Sequence, residues 1–311
     1  MHRTILHSLT LPRLFPAALG LVILAGSAAF RENPAEDLYK STVFTPAKGF
    51  TSGVEGPAVD PSGTVYAVNF GKQGTIGQIT PSGEASLFVE LPEGSIGNGI
   101  RFNRRGDMFI ADYPKHNILK VAKGSKEVTV FASEPRMNQP NDIAIDGRGR
   151  LYASDPNWKE NTGNLWRIDT DGRVTQLESG MGTTNGIEVS PDEKTLYVNE
   201  SAQRKVWKYD LAPDGSLSNK RLLTEFPDFG MDGMRCDVDG NLYVTRFGKG
   251  TVAKLSPDGK VLQEITLIGK RPTNIAFGGK DGRTAYVTLQ DQGNLETFRV
   301  EQPGREWKLR K

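Results

Sequence analysis

The stretch Asn185-Gly186-Ile187-Glu188-Val189, followed after a turn by Leu196-Tyr197-Val198, is one copy of a unit that recurs six times along the chain. Each copy begins with a carboxylate or amide residue, continues as an apolar run and passes through a tight turn into a second β-rich run. Gly, Asn and Asp in these turns supply the positive φ angles that hairpins need. The copies are spaced 42 to 47 residues apart. Their first residues, called the repeat-start residues below, are Glu55, Asn98, Asn141, Asn185, Asp232 and Asn274.

Two more β-rich runs complete each copy. Leu165-Trp166-Arg167-Ile168 is an example of a third strand, and Val128-Thr129-Val130-Phe131 is an example of a fourth. Four short antiparallel strands in about 43 residues are typical of one β-propeller blade. The sequence therefore predicts an all-β fold, a six-bladed β-propeller of four-stranded antiparallel blades.

The ends of the chain bear on how the ring closes. The sixth copy is weakest in its fourth strand, while Thr42-Val43-Phe44 resembles Thr129-Val130-Phe131. We expect this N-terminal strand to complete the last blade, because an open sheet edge invites aggregation. The tail around Trp307 is the alternative occupant of that place.

Composition supports one β domain. A hydrophobic content of 37% with 35 glycines suits many strands and turns, and the repeat runs without a linker from Thr42 to Val300. The net charge of +2 and the scattered basic residues argue against a nucleic-acid partner. We also expect no stable membrane insertion beyond the leader.

Residues 1–29 have the pattern of a secretory signal peptide. His2 and Arg3 precede an apolar stretch from Leu14 to Ala25, and Ser27-Ala28-Ala29 offers small residues for cleavage. An uncleaved signal anchor is the alternative. Either reading predicts a secreted or periplasmic protein.

The remaining chain divides into a polar lead-in at 30–41 and a propeller domain, predicted to be catalytic, at 42–311. Cys236 is the single cysteine and excludes an intramolecular disulfide. It alternates with Met234 on a predicted inner strand, so we expect it to be buried.

The repeat-start residues predict a metal site. In a propeller, the start of each first strand lies on the same face as the loop between the second and third strands, so these six side chains share one rim. Oxygen ligands select a hard divalent cation, and Ca²⁺ accepts six to eight of them. Glu55 and Asp232 would match its charge. The alternative is that these residues only cap strand ends.

The number of histidines restricts the type of reaction. His116 is the only histidine after the leader, so a hydrolase built on a histidine base beside a nucleophile is not expected. Metal-assisted hydrolysis remains, in which a carboxylate takes a proton from the attacking water. Asp232 is the candidate base, and we expect His116 to be solvated.

Substrate choice is assigned to the six loops between second and third strands. The third, Asp155 to Gly163, is the longest and carries Trp158, which either stacks on a substrate ring or packs. Arg246 either binds a substrate or pairs with Glu200 or Asp291. Asp112 and Asp155 are weaker candidates, and the alternative is that both cap the loops. The candidate substrate contacts are Asn98, Asn141, Trp158, Glu200, Arg246 and Asn274.

Four segments, taken in order and spacing, resemble the senescence marker protein (regucalcin), gluconolactonase and luciferin-regenerating enzyme family of calcium-dependent six-bladed propellers. The resemblance covers about Thr42 to Val300. It implies that Glu55, Asn185 and Asp232 are the primary Ca²⁺ ligands, that Asn141 completes the shell or holds the substrate, and that Asp232 is the proton acceptor. The segments are Glu55-Gly56-Pro57, Pro140-Asn141-Asp142, Thr184-Asn185-Gly186 and Met231-Asp232-Gly233-Met234.

The resulting prediction is a Ca²⁺-dependent, gluconolactonase-like hydrolase of a small-molecule sugar or aliphatic lactone. Another divalent cation is an alternative cofactor. A phosphotriesterase at the same site is the second enzymatic reading, because diisopropylfluorophosphatase and paraoxonase share this architecture. A non-catalytic binding module is the third, since the fold alone does not prove catalysis.

Overall fold

The computed structural model describes residues 37–309, so the predicted signal peptide at 1–29 and the lead-in up to residue 36 lie outside the described residues. Within 37–309 the chain forms six four-stranded antiparallel sheets and one short helix, α1 (Arg305–Leu309). The predicted all-β, six-bladed propeller is confirmed. No helix in this part of the chain is long and apolar enough to cross a bilayer.

The strands of each blade follow one another in chain order from a buried inner strand to an exposed outer one. The first three blades are β2 (Ala58–Val59), β3 (Val65–Val68), β4 (Thr75–Ile79) and β5 (Ala85–Glu90); β6 (Gly97–Phe102), β7 (Met108–Asp112), β8 (Asn117–Val121) and β9 (Val128–Ser133); and β10 (Ile143–Ile145), β11 (Leu151–Asn157), β12 (Thr162–Ile168) and β13 (Val174–Met181). The last three blades are β14 (Thr184–Val189), β15 (Thr195–Glu200), β16 (Lys205–Leu211) and β17 (Leu217–Glu225); β18 (Met234–Cys236), β19 (Leu242–Arg246), β20 (Thr251–Leu255) and β21 (Val261–Thr266); and β22 (Pro272–Gly278), β23 (Thr284–Leu289) and β24 (Asn294–Arg299) with β1 (Thr42–Val43).

The N-terminal strand closes the ring, as predicted. β1 pairs antiparallel with β24, with Thr42 opposite Thr297 and Val43 opposite Glu296. The next residue, Phe44, continues the contact, because its N–H donates to the Leu295 carbonyl at 2.9 Å. The last blade thereby joins both ends of the propeller and gains its fourth strand.

The recurring aromatic of each second strand explains how neighbouring blades adhere. Tyr66 of the first blade packs against Phe88 of its own outer strand and against Phe102 of the next blade, with ring centroids 5.1 and 5.4 Å apart. Tyr152 and Tyr243 are fully buried at equivalent positions. Buried apolar side chains therefore fill the layers between neighbouring blades.

The C-terminal tail lies at the hub and not at the sheet edge, so it does not compete with β1. Arg305 donates to the carbonyls of Ile145 and Ser190 at 3.0 and 3.1 Å and lies 3.5 Å from Glu188. Together with its neighbour Glu306, Arg305 completes a buried ion network. The other members lie on or next to the first strands, shortly after the repeat-start residues in the chain. The members of this hub ion network are Arg101, Asp142, Glu188, Arg235, Arg305 and Glu306.

Replacing Arg305 by Met tests the hub ion network. The substitution removes the donor that two buried carbonyls share and one of the three arginines around the Glu188 carboxylate. Removing one partner of a buried pair costs about 3–5 kcal/mol. We expect the free energy of unfolding, measured by urea denaturation, to fall by that amount. Arg173→Met removes an exposed arginine that pairs with Asp169 and should leave the midpoint nearly unchanged. Equal midpoints for both variants would contradict this role of Arg305.

Candidate metal centre and substrate cavity

A cavity of about 520 Å³ opens at the hub on the face where the first strands begin. All six loops between second and third strands reach it, as the sequence predicted. They contribute Gln73, Tyr113, Trp158, Ser201, Phe247 and Gln290, in chain order. Five of the six repeat-start residues line the same space, and these are Glu55, Asn98, Asn141, Asn185 and Asp232.

Glu55 is held by two hydrogen bonds to the same carboxylate oxygen. Its Oε2 accepts from the Gly56 N–H and, at 3.0 Å, from Nδ2 of Asn274. The Asn274 amide is itself oriented, because its Oδ1 accepts from the Ile275 N–H at 2.9 Å. Gly56 has a φ of 55°, and a Cβ there would lie 2.1 Å from the Asn98 carbonyl oxygen. The other carboxylate oxygen, Oε1, has no hydrogen-bond partner within residues 37–309.

Asn185 is oriented by a similar relay. The Ser201 hydroxyl donates to the Met231 carbonyl, so its oxygen is free to accept from Nδ2 of Asn185 at 3.1 Å. That bond uses the donor side of the Asn185 amide. Its Oδ1 is therefore directed away from Ser201 and receives no hydrogen bond from the part of the chain that the structure describes.

Four side-chain oxygens that line the cavity, Oδ1 of Asn185 among them, are unpaired in the same way. Each is shielded from solvent and has no hydrogen-bond donor among residues 37–309, and a buried acceptor left unpaired costs about 1–3 kcal/mol. Acceptors without donors are the environment that a hard cation satisfies. The residues present therefore fit Ca²⁺ or a similar ion. The four atoms are Glu55 Oε1, Asn98 Oδ1, Asn141 Oδ1 and Asn185 Oδ1.

The electrostatics also favour a cation. Burial, and secondarily the charge of Asp142, raise the pKa of Glu55 to about 7. Burial and the Glu55 charge raise the pKa of Asp232 well above its usual value, against a smaller opposing effect of the Asn185 amide. Two carboxylates thus share a site that penalises their ionisation, and a divalent ion between them would remove that penalty.

The candidate centre is unlike a zinc or iron site. Among the described residues no group of three His, Cys, Asp or Glu side chains is arranged to hold a metal. Two carboxylates and three amides supply the oxygens instead. Cys236 is buried and free, as expected, and lies outside the lining.

The structure corrects three of the predicted substrate contacts. Arg246 does not line the cavity, because its guanidinium pairs with Asp228 at 2.7 Å. Glu200 accepts from the Gly182 N–H at 2.8 Å and is also absent from the lining. Asn274 is fully buried behind Glu55 and acts by positioning it.

Arg246 and Glu200 are the last residues of the second strands of their blades. Polar side chains at this position hydrogen-bond to the loop that leads into the first strand of the same blade. Asp112 accepts from the Ser95 hydroxyl at 2.8 Å, and Asp155 accepts from the Gln139 N–H at 2.6 Å. Both therefore cap loops, which was the plainer of their two predicted roles.

Sequence reasoning missed Tyr113 and Phe247, although each directly follows such a strand-ending residue. Trp158 does line the cavity and is 39% exposed, whereas His116 does not line it.

Fold and site together define a six-bladed propeller with an acceptor-rich hub beneath six loops. The chain belongs to the family described as the SMP-30/Gluconolactonase/LRE-like region, whose model matches residues 55–291.

Comparison with individual proteins agrees with this family. Gluconolactonase from Zymomonas mobilis subsp. mobilis is 29% identical over 67% of this chain and 68% of its own length. Diisopropyl-fluorophosphatase from Loligo vulgaris is 26% identical over 85% of this chain and 94% of its own. The solved structure of a calcium-binding protein, regucalcin, from Agrobacterium tumefaciens covers 85% of this chain and 97% of its own, with a TM-score of 0.71 and 22% identity. At that identity the structural match shows the fold alone.

Changing Asn274 to Ala tests whether this residue orients the Glu55 carboxylate. Loss of the bond to Oε2 frees Glu55 to rotate, and residues that orient metal ligands typically contribute 10–100-fold to affinity. We expect the Kd for Ca²⁺, measured by isothermal titration calorimetry, to rise about tenfold or more. Gln263→Ala removes an exposed amide from the outer strand of the fifth blade and serves as control. Unchanged affinity in Asn274→Ala would refute the positioning role.

Proposed function

We propose that this protein is a metal-dependent lactonase that uses Ca²⁺ to open an ester ring. The observation that carries the proposal is the set of unpaired buried oxygens beside two carboxylates at the floor of a ligand-sized cavity. Glu55, Asn141, Asn185 and Asp232 would hold the ion, with Asn98 beside them. The named lactonase among the relatives supports the reaction class.

A bound divalent cation supplies Lewis-acid polarisation of the lactone carbonyl. The chain supplies the base. Of the two lining carboxylates, Glu55 has one oxygen engaged by Gly56 and Asn274, whereas Asp232 is half-buried and faces the cavity. Asp232 takes a proton from water as the water oxygen bonds to the acyl carbon. The ring C–O bond then breaks, and the leaving oxygen receives the proton, giving a hydroxy acid.

Phosphotriester hydrolysis is the second candidate. The relative named diisopropyl-fluorophosphatase matches nearly its whole length, and the same cation and carboxylate would serve a phosphoryl centre. A binding module is ranked below both, because binding through the loops does not require two carboxylates at the hub floor. Comparing lactones with organophosphates, each with and without chelator, separates these functions.

Asp232→Asn tests the base. The amide keeps an oxygen for the ion but cannot accept the proton, so kcat on lactones should fall about 10²–10⁴-fold even at saturating Ca²⁺. The circular dichroism spectrum should stay native. Removal of the ion by chelator should abolish wild-type turnover, and added Ca²⁺ should restore it.

Asp239→Asn provides the matched control, because Asp239 is an exposed carboxylate on a turn of the same blade. It should turn over lactones like the wild type. Near-native kcat in Asp232→Asn would exclude Asp232 as base, and full activity in chelator would exclude a metal-dependent mechanism.

A further inference from the structure

The cavity has no positive charge of its own. Glu55 and Asp232 are the charged residues that line it, and no lysine, arginine or histidine among residues 37–309 does so. Its remaining polar groups are amides, hydroxyls and backbone. The charges of the lining residues alone therefore disfavour an anionic substrate, whatever its shape.

Three cationic residues on or next to the cavity loops form their contacts away from the cavity. Lys72 pairs with Glu90 at 2.8 Å, and Lys115 donates to the Glu93 carbonyl. Arg246 is turned toward Asp228. A carboxylate, phosphate or sulfonate substituent at the loop walls would thus lose hydration without gaining an ion pair with a side chain, and the charge of a bound Ca²⁺ is already balanced by Glu55 and Asp232.

The walls divide into an aromatic part and an uncharged polar part. Tyr113, Trp158 and Phe247 come from the second, third and fifth blades. Gln73 and Gln290 come from the first and sixth blades. Aromatic side chains offer large apolar contact area with a polar edge, which suits a ligand that is partly apolar.

The volume indicates a substrate larger than a bare lactone ring. At about 520 Å³, the cavity falls within the 300–1,000 Å³ typical of pockets that enclose drug-sized ligands. We infer that the substrate is an uncharged lactone whose apolar substituent lies against Tyr113, Trp158 and Phe247. This inference rests on the proposed lactonase function and narrows it to a substrate class.

A matched pair of lactones tests the inference on the Ca²⁺-loaded protein. γ-Phenyl-γ-butyrolactone and γ-carboxy-γ-butyrolactone share the ring and the substituted position and differ in the substituent. We expect kcat/KM for the phenyl compound to exceed that for unsubstituted γ-butyrolactone about tenfold or more. The carboxy compound should be hydrolysed about tenfold less efficiently than the unsubstituted ring, or not at all.

Binding gives a second readout that does not depend on turnover. The corresponding lactams, γ-phenyl-γ-butyrolactam and γ-carboxy-γ-butyrolactam, replace the reactive ester by an amide. Calorimetric titration of the protein with each lactam, in chelator and in Ca²⁺, should show the phenyl lactam binding more tightly in both conditions. Tighter binding of the carboxy lactam in chelator would overturn the inference.

Two variants locate the discrimination. Trp158→Ala should reduce the ratio of kcat/KM for phenyl over unsubstituted lactone about tenfold. Gln290→Lys should raise kcat/KM for the carboxy lactone about tenfold, because it adds the missing cation at the wall. Leu222→Ala, at an exposed outer-strand position, should change neither value.

The outcomes separate the two levels of the proposal. If no lactone is hydrolysed with Ca²⁺ present, the proposed function fails and the substrate class fails with it. If lactones are hydrolysed but the carboxy compound is turned over as well as the phenyl compound, the substrate class alone is wrong. A Trp158→Ala enzyme that keeps the full phenyl preference also overturns it.

Discussion

Unpaired oxygens at the hub are the constraint on which the rest of the molecule depends. Glu55 and Asp232 come from non-adjacent blades and meet beside amide oxygens that have no donors within the described chain. Burying two carboxylates together is unfavourable unless a positive charge joins them. The raised pKa values of both groups express this cost, and a divalent ion is the simplest way to meet it.

The propeller repeat provides such a site without any additional structural element. Each blade begins with one such residue, so five blades present a side chain to the cavity without any special loop, and Asn274 of the sixth blade supports Glu55. Immediately beyond them, the hub ion network balances three arginines with three carboxylates and closes the other end of the axis. The Arg305 side chain holds α1 at this position. The cavity is therefore open toward the substrate loops and sealed beneath.

Much of this architecture follows from sequence, because a repeat of turns and strands has few other solutions. Glu55, Asn141, Asn185 and Asp232 were identified as lining residues by their position in the repeat. The family resemblance further implied their roles. Asn274 occupies the same repeat position but lies behind Glu55, and spacing alone cannot distinguish a residue that faces the axis from one that supports its neighbour.

The errors have a common physical origin. Arg246 and Glu200 end second strands, where polar side chains hold the adjoining loop in place. Because a polar residue at the end of a second strand serves to hold its loop, the residue type there does not indicate whether the side chain lines the cavity. Tyr113 follows Asp112 and Phe247 follows Arg246, in loops without periodicity, so the direction of these two side chains depends on loop geometry. The tail around Trp307 is the alternative occupant of the last blade's edge, and it lies at the hub instead because Arg305 and Glu306 pair with buried charges there.

The most direct test of this account is a crystal structure of the protein grown or soaked with Ca²⁺. We predict a single strong density peak on the cavity floor, with Glu55 Oε1, Asn141 Oδ1, Asn185 Oδ1 and an Asp232 oxygen at about 2.3–2.6 Å. Clear density for these side chains with only water among them, or with Asp232 turned away from Glu55, would contradict it.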